Sequence, residues 1–190
     1  TNTPHSVKKV IVASSRAIYG EGSYSNAKGE TVYPLQRKES DMLNGQFEPM
    51  DEQTGQPLKM ALTDEQARIH PSSVYGITKQ VQEQMVLTVC GSLGIPAIAF
   101  RYQNVYGPGQ SLTNPYTGIL SIFSNLMLNG QPINIFEDGK ESRDFVYIDD
   151  VVQATMLGIE YPYFINEAFN IGTGTPTTVL EVATTLQNLY

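Results

Sequence analysis

The chain has 190 residues, 41% of them hydrophobic, which is enough to bury one substantial core in one domain or in two interleaved half-domains. Its formal net charge of −7 argues against nucleic acid as a partner, and no apolar run approaches the ~20 residues that a membrane span requires. The single cysteine, Cys90, excludes an internal disulfide bond, so we expect a cytoplasmic protein.

Predicted strands and helices alternate along the chain, which is typical of α/β proteins with a parallel sheet. The strands are predicted at 9–14, 95–101, 133–136, 144–146 and 168–171, and the helices at 73–93, 116–129, 148–160 and 178–190. Ser73 and Asp149 are predicted to cap helix starts, and Gly94 follows the longest helix. The segment 24–62 carries turn-forming residues and little apolar periodicity, so we predict a surface insertion there.

Chemically active side chains follow the first strand and open the longest helix. Ser15 places a hydroxyl at the carboxyl end of the strand, where open parallel α/β sheets bind ligands. Tyr75 and Lys79 are four residues apart on the helix and therefore share one face. An ammonium beside a phenol favours the phenolate, which is the form that accepts a proton. Such a pair on a helix is most often only exposed, so its catalytic interpretation depends on the polar segments before and after it.

Three motifs occur in order along the chain. They are Ser-Ser-x-x-x-Tyr-Gly at 14–20, Tyr-x-x-x-Lys at 75–79 and Arg-Tyr-x-Asn-Val-Tyr-Gly-Pro at 101–108. Together they resemble the extended short-chain dehydrogenase/reductase family, whose members are largely nucleotide-sugar epimerases and dehydratases. Residues 138–151 look like that family's nucleotide-diphosphate contact segment, and residues 169–174 look like the strand and turn after it.

The resemblance implies an α/β fold: the C-terminal part of a Rossmann-type doubly wound parallel sheet plus a smaller α/β substrate-binding subdomain. Residues 1–108 would be the C-terminal half of the NAD-binding domain, with an insertion at about 22–63. Residues 109–190 would be the substrate-binding subdomain, interleaved with returning Rossmann elements at about 144–172. The Gly-x-x-Gly-x-x-Gly turn that holds the dinucleotide pyrophosphate in such folds does not occur in this sequence. We therefore expect a piece of a longer protein, which alone is inactive and does not retain NAD.

The resemblance also implies an activity, the NAD-dependent C4 epimerisation of a nucleotide-diphosphate sugar through a transient 4-keto intermediate. Tyr75, as a phenolate stabilised by Lys79, would take the proton of the C4 hydroxyl, and Ser15 would hydrogen-bond that hydroxyl. Tyr75, Lys79 and Tyr102 would contact NAD. In the full-length protein, the helix of Tyr75 would contribute to a homodimer interface.

Cations and polar groups would hold the substrate against the acidic charge of the chain. By resemblance they are Ser15, Arg16, Asn104 and Arg143, with Lys140 and Arg101 as further candidate cations for the diphosphate. Asn104 has the alternative of capping a turn, and Arg143 has the alternative of a structural pair with Asp144 or Asp150. No set of metal ligands is predicted.

A 4,6-dehydratase or a reductase of the same family is the alternative enzyme. Dehydratases of this family carry an Asp-Glu pair directly after the strand-end hydroxyl, because expelling the C6 hydroxyl requires an acid and a base beyond the tyrosine. Arg16 and Ala17 stand at these positions, and neither is a general acid at neutral pH, so dehydration is disfavoured. Decarboxylating relatives keep a glutamate at the second position, and Ala17 stands there in this chain, so decarboxylation is disfavoured too. A non-catalytic fragment or subunit, which lacks the dinucleotide-binding turn, is the alternative of a different class.

The insertion resembles a segment in which relatives carry paired Cys-x-x-Cys knuckles. Asp51 and Thr54 stand where cysteines would be, so a tetrahedral thiolate zinc site is excluded. This pattern, together with residues 16–22 before it, most resembles enzymes of the dTDP-L-rhamnose 4-epimerase type.

Overall fold

The computed structural model describes residues 6–112 and 118–190, in which strands and helices alternate as the sequence predicts. The strands are β1 (Val10–Ser15), β2 (Tyr24–Ser25), β3 (Thr31–Val32), β4 (Lys59–Met60), β5 (Ala97–Tyr102), β6 (Asn104–Tyr106), β7 (Ser142–Tyr147), β8 (Asn166–Ile171) and β9 (Pro176–Thr178). The helices are α1 (Glu39–Leu43), α2 (Val74–Leu93), α3 (Ile119–Leu128), α4 (Ile148–Glu160) and α5 (Val179–Leu189), with a 3₁₀ turn at Arg16–Tyr19. The first residues of the predicted helix 116–129 lie outside the described residues. Within the described ranges, no helix combines the length and the apolar character that crossing a bilayer requires.

Three parallel strands in the order β1-β5-β8 form the central sheet. Their carboxyl ends are level, since Ser15 pairs with Tyr102 and Tyr102 pairs with Ile171. The middle strand, β5, is buried along residues 97–101, which explains its apolar sequence. The register therefore places the residues that follow each strand at one edge of the sheet.

Helices cover both faces of this sheet. Alternate side chains of β5 point to opposite sides, and on each side they contact a helix. Arg101 points to α2, where it contacts Glu83. Phe100 points to α4, where its ring packs so closely against Gly158 that a Cβ there would lie 2.7 Å from it. This is the doubly wound α/β arrangement that the sequence predicts.

A smaller α/β unit lies beside the central sheet. Its sheet has the order β6-β7-β9, in which β6 and β7 are parallel and β9 is antiparallel to β7. Phe123 of α3 packs against Val182 and Leu186 of α5, and all three are buried. The unit thus has an apolar core of its own, next to the strand that carries Arg143.

The segment between the 3₁₀ turn and α2 folds as a small antiparallel sheet in the order β3-β2-β4. Tyr24 and Leu58 are 5% and 2% exposed, so the segment has its own apolar anchors. Two of its turns are closed by side-chain oxygens. Asn26 Oδ1 accepts hydrogen bonds from the amides two and four residues later, both at 3.0 Å. Asp51 Oδ1 accepts them from the amides two and three residues later, at 2.8 and 3.2 Å.

Two local predictions are wrong. The segment 133–136 is not a strand: Ile133 and Ile135 alternate inward against the core of α3 and α5, but the backbone pairs with no strand among the described residues. Asp149 does not cap α4, because the N-cap residue is Tyr147 and Asp149 lies in the first turn. Its carboxylate is still favourably placed there, near the positive end of the helix dipole.

Candidate active site

Ser15 ends β1 and begins the 3₁₀ turn. It is 8% exposed, and its Oγ accepts a hydrogen bond from the Ala17 amide at 3.2 Å, which caps the turn. Because Oγ serves as an acceptor in this cap, its own O–H proton remains to be donated to a ligand. The cap explains why a serine hydroxyl stays at this edge of the sheet.

Tyr75 and Lys79 lie on one face of α2, as their spacing predicts. Tyr75 is 55% exposed, and Lys79 Nζ lies 5.8 Å from the centroid of its ring, within the range of a cation–π interaction. The same Nζ donates a hydrogen bond to the carbonyl oxygen of Ala13 at 2.9 Å. One ammonium therefore contacts both β1 and Tyr75, and it holds the start of α2 beside the end of β1.

Gly76 allows α2 to begin in direct contact with the 3₁₀ turn. A Cβ at this position would lie 2.5 Å from the carbonyl oxygen of Ala17 and 2.9 Å from the Cβ of Pro71. Both distances are shorter than van der Waals contact, so only a glycine fits without moving the backbone. This close approach brings the Tyr75 turn of the helix to the Ser15 end of the strand.

We expect Gly76→Ala to lower the free energy of unfolding by about 1–3 kcal/mol, because the added methyl group must displace backbone. Gly91→Ala is the matched control, since it adds the same methyl group to the same helix and meets only the side-chain amide of Asn166, at 2.9 Å. The control should stay within about 1 kcal/mol of the wild type, because alanine is the better helix former. Urea unfolding measures both, and equal losses would contradict the role assigned to Gly76.

A cleft of about 420 Å³ opens next to the end of β1, between the 3₁₀ turn, the insertion and the segment before β7. Its walls come from three parts of the chain that are distant in sequence. The polar side chains of this lining include Arg16, Tyr19, Tyr24, Arg37, Glu137 and Arg143. Ser15 adjoins this cleft only through its neighbour Arg16, and Tyr75, Lys79, Tyr102 and Asn104 are not part of its lining. The structure thus brings Arg16 and Arg143 together in one cavity and leaves the Tyr75–Lys79 pair outside it.

Arg16 brings a guanidinium into the cleft without an acidic partner. It forms no ion pair with any carboxylate in residues 6–112 and 118–190. Burial lowers the pKa of Arg16, and the positive charge of Arg143 lowers it further. Since a guanidinium stays protonated at neutral pH, Arg16 and Arg143 repel each other, and Glu141 and Glu21 offset this only in part. An anion between them would relieve this repulsion.

Arg143 is oriented from β7 by its neighbours in sequence. Its guanidinium pairs with the carboxylate of Glu141 and donates to a backbone carbonyl at 2.8 Å. It does not pair with Asp144 or Asp150, the partners that the structural alternative named, and its ion-pair partner is Glu141 instead. Asp144 instead accepts hydrogen bonds from the backbone amides at 173–174.

Asn104 and Tyr102 face different surroundings. Asn104 Oδ1 is buried and accepts no hydrogen bond from the part of the chain that the structure describes. A buried acceptor left unpaired costs about 1–3 kcal/mol, which a ligand donor would recover. The Tyr102 hydroxyl shares a hydrogen bond with Thr155 Oγ1 at 2.9 Å, and its ring stacks on Phe100. Tyr102 therefore packs towards α4.

Arg101 is not a diphosphate cation, and that prediction is wrong. Successive side chains of a strand point to opposite faces, so Arg101 faces α2 while Tyr102 faces α4. On that face Arg101 is 5% exposed and bonded to Glu83. Glu83 is a residue that the sequence analysis missed. Its signal was present, since a carboxylate four residues after Lys79 lies on the face of α2 that packs on the sheet, where a charge needs a partner.

The insertion closes one side of the cleft through contacts with the segment before β7. Arg37 donates to Glu137 at 2.7 Å, and Ser142 Oγ donates to Met60 Sδ at 3.3 Å. Burial raises the pKa of Tyr24, on the same wall, to about 12, so its phenol remains a neutral hydrogen-bond donor. No local pattern predicts these contacts, because the partners are 100 and 82 residues apart.

The sequence as a whole matches one family. The sequence model of the NAD dependent epimerase/dehydratase family matches residues 3–172. This chain therefore belongs to the NAD-dependent epimerase/dehydratase family, as the order of its motifs predicts. NAD is the cofactor of that family.

Curated relatives and solved structures agree with this assignment. A dTDP-L-rhamnose 4-epimerase of Burkholderia thailandensis is 40% identical over 177 residues, which cover 93% of this chain and 47% of that protein. A putative UDP-glucose 4-epimerase of Methanocaldococcus jannaschii is 40% identical over 119 residues, or 63% of this chain and 38% of that protein. The UDP-glucose 4-epimerase of Thermotoga maritima with UDP-glucose superposes with a TM-score of 0.68 at 36% identity, covering 97% of this chain and 48% of that one.

A further solved structure contains the cofactor. The UDP-glucuronic acid 4-epimerase of Bacillus cereus, in complex with UDP-glucuronic acid and NAD, superposes with a TM-score of 0.70 at 25% identity. The matched part covers 97% of this chain and 46% of that one. This chain thus spans about half the length of the relatives it matches, or less.

Proposed function

We propose that this chain forms part of an enzyme that epimerises C4 of a nucleotide-diphosphate sugar through a transient 4-keto intermediate, with NAD as cofactor. The observation that carries the proposal is that Lys79 contacts both β1 and the Tyr75 ring, near the strand-end hydroxyl of Ser15. A phenol, an ammonium and a hydroxyl at the carboxyl edge of a parallel sheet are the groups needed to move a proton from a sugar hydroxyl. The 4-epimerases among the relatives support this outcome at C4.

Each of the three residues has a separate role in the proton transfer. Tyr75 as a phenolate accepts the proton of the C4 hydroxyl, and the Lys79 ammonium stabilises the phenolate charge. Ser15 donates its hydroxyl proton to the C4 oxygen. The residues fit the nicotinamide side of the cofactor, because Tyr75 is 55% exposed and Lys79 keeps ammonium hydrogens that Ala13 does not use. NAD, when bound, accepts a hydride from C4 and returns it to the opposite face, so no external reductant is needed.

The cleft fits the diphosphate of such a substrate. Arg16 has no carboxylate partner among the described residues, and Arg143 repels it, so the pair favours a ligand that carries two negative charges. Asn104 lies outside the lining of this cleft, and a contact of its buried Oδ1 with the sugar or nucleotide stays a prediction. A contact of Tyr102 with NAD stays a prediction.

Dehydration would require an acid and a base that these residues do not supply. The two positions after Ser15 are an arginine, which lines the cleft, and an alanine, which packs against Gly76. Neither side chain has a carboxyl group. Incubation of the full-length protein with a panel of nucleotide sugars, with NMR of the products, separates the alternatives. Inversion at C4 supports the proposal, and a 4-keto-6-deoxy product would support a dehydratase. No turnover of any nucleotide sugar would support a non-catalytic subunit.

We expect Tyr75→Phe in the full-length protein to abolish epimerisation, because the phenol oxygen alone carries the proton. Affinity for the nucleotide sugar should remain within a few-fold of the wild type, since the ring is retained. Tyr163→Phe removes a hydroxyl from a tyrosine that is 69% exposed after α4 and should leave turnover unchanged. Steady-state kinetics measures the three proteins. More than a tenth of wild-type turnover in Tyr75→Phe would contradict the role of Tyr75 as the proton acceptor.

We expect Arg143→Ala to weaken nucleotide-diphosphate binding by about 1.5–3 kcal/mol, because a charge-assisted phosphate contact is lost. Lys140→Ala is the control, since Lys140 lines the same cleft but its side chain is 72% exposed and paired with Asp138 at 3.0 Å. Its loss should leave the dissociation constant within about twofold of the wild type, because an exposed ion pair contributes little. Calorimetry measures both variants, and unchanged binding in Arg143→Ala would show that Arg143 is structural.

A homodimer that uses α2 belongs to the same proposal. Ile77, Val81, Met85 and Val89 recur at four-residue spacing and are 46–61% exposed, so they form one apolar stripe. We expect light scattering of the full-length protein to give a dimer, and Met85→Lys to shift it towards monomer. Leu128→Lys, at an equally exposed apolar position of α3, is the control. A monomeric wild-type protein, or equal behaviour of the two variants, would contradict this interface.

A further inference from the structure

One ion pair of α2 is buried against the central sheet and takes no part in the roles given above. Glu83 and Arg101 are 3% and 5% exposed. Arg101 Nε donates to both carboxylate oxygens of Glu83, at 3.2 and 3.1 Å, and Nη2 donates to Oε1 at 2.6 Å. The planar guanidinium therefore fixes the carboxylate in both distance and orientation.

Glu83 shares a face of α2 with the catalytic pair, because Tyr75, Lys79 and Glu83 follow one another at four-residue spacing. Ser14 Oγ donates to Glu83 Oε2 at 2.6 Å, and Lys79 Nζ donates to the carbonyl oxygen of Ala13 at 2.9 Å. Two successive turns of α2 are thus bonded to two successive residues of β1, directly before its last residue.

The other edge of the Arg101 guanidinium continues the network away from α2. Nη1 donates to the Tyr19 hydroxyl at 2.6 Å and to the Glu65 carbonyl oxygen at 3.1 Å. The Tyr19 hydroxyl donates in turn to Asn170 Oδ1 at 2.9 Å. Since Tyr19 ends the 3₁₀ turn and lines the cleft, the network joins the catalytic helix to the substrate cavity and to β8.

Apolar packing holds the opposite half of α2. Val86, Leu87 and Cys90 pack with Ile95 and Ala97, and among the described residues this core cluster contains no α2 residue before Val86. The catalytic turn lies about 16 Å along the helix axis from that cluster. At the other end Gly76 packs against the 3₁₀ turn, and between the two ends Lys79 and Glu83 supply directional polar contacts.

Stability alone does not account for a charge pair in this position. Apolar side chains of similar volume are often as stabilising as a buried ion pair, because removing two charges from water is costly. Apolar contacts lack direction, whereas a bidentate pair resists rotation and sliding of the helix. We propose that the Glu83–Arg101 pair, together with the bond from Ser14 to Glu83, is a positioning device that sets the rotation of α2 and thereby places Tyr75 and Lys79 against Ser15. The inference rests on the proposed function of those three residues.

The test is the double variant Glu83→Leu/Arg101→Met in the full-length protein. Both charges are removed together, so no uncompensated charge remains buried. The melting temperature should stay within about 4 °C of the wild type, and KM should stay within about threefold, because Arg16 and Arg143 are unchanged. kcat should fall about a hundredfold, as expected when catalytic groups move by about 1 Å. A folded double variant with wild-type kcat would overturn the proposal.

Ser14→Ala decides the question where the double variant does not fold. It removes the link between β1 and Glu83 and keeps the ion pair. kcat should fall about five- to tenfold at unchanged KM. Ser121→Ala is the matched control, since Ser121 is also a buried serine but lies in α3. Equal kcat values for the two serine variants would overturn the proposal.

Amide hydrogen exchange gives a readout that does not depend on turnover. In the double variant, or in Ser14→Ala where that variant decides, residues 77–83 should exchange faster and residues 86–93 should exchange as in the wild type. If the wild-type protein converts no nucleotide sugar, the proposed function fails, whereas exchange still tests the positioning. Unchanged protection of residues 77–83 would then overturn it.

Discussion

The contact between the start of α2 and the end of β1 is the constraint on which the candidate site depends. Ser15 and Tyr75 are sixty residues apart in sequence, and a parallel sheet brings them to one edge only if the helix returns close to the strand. Gly76 permits the close approach, because it has no side chain to meet the 3₁₀ turn. Lys79 and Glu83 then bond the helix to consecutive positions of β1. The glycine that allows the close contact and the two side chains that bond to β1 therefore lie on neighbouring turns of α2.

The guanidinium groups of the cleft work against the acidic charge of the chain and of the cleft lining, which carries six carboxylates and four cations. With a net charge of −7, the protein repels a diphosphate at long range, and attraction must come from groups at short range. Arg16 and Arg143 provide it at a cost, since Arg16 is buried without a carboxylate partner in the described part of the chain. Glu141 pairs with Arg143, and its charge also acts on Arg16, as does that of Glu21. Burial and the proximity of Arg143 thus disfavour the charged form of Arg16, which a bound anion would stabilise.

Features set by local signals were predictable from the sequence. The predicted helix 73–93 is observed as Val74–Leu93, because Ser73 Oγ caps its first turn and Gly94, with φ of 67°, ends it in the left-handed conformation. The Tyr75–Lys79 face follows from helical spacing. The segment 133–136 has the alternation of a strand but pairs with no strand in the described part of the chain, and a partner is not encoded in the segment itself.

Features set by tertiary structure were not predictable. Whether Arg101 faces the cleft or α2 depends on which face of β5 its position occupies, and a polar residue at a strand end is compatible with either. The contact of Arg37 with Glu137 joins two loops across 100 residues and leaves no periodic trace in the sequence. The cleft wall that the insertion supplies therefore emerged only from the structure.

Asn26 and Asp51 close the turns of that insertion with bonds to neighbouring amides. A knuckle held by zinc folds only while the metal is supplied and its thiolates stay reduced. A turn held by a side-chain oxygen and backbone N–H groups requires neither, because the chain itself provides both partners. The insertion, other residues of which line the cleft, is thus folded by turns whose closure is insensitive to chelators and oxidants, and its fold is uncoupled from changes in metal and thiol balance.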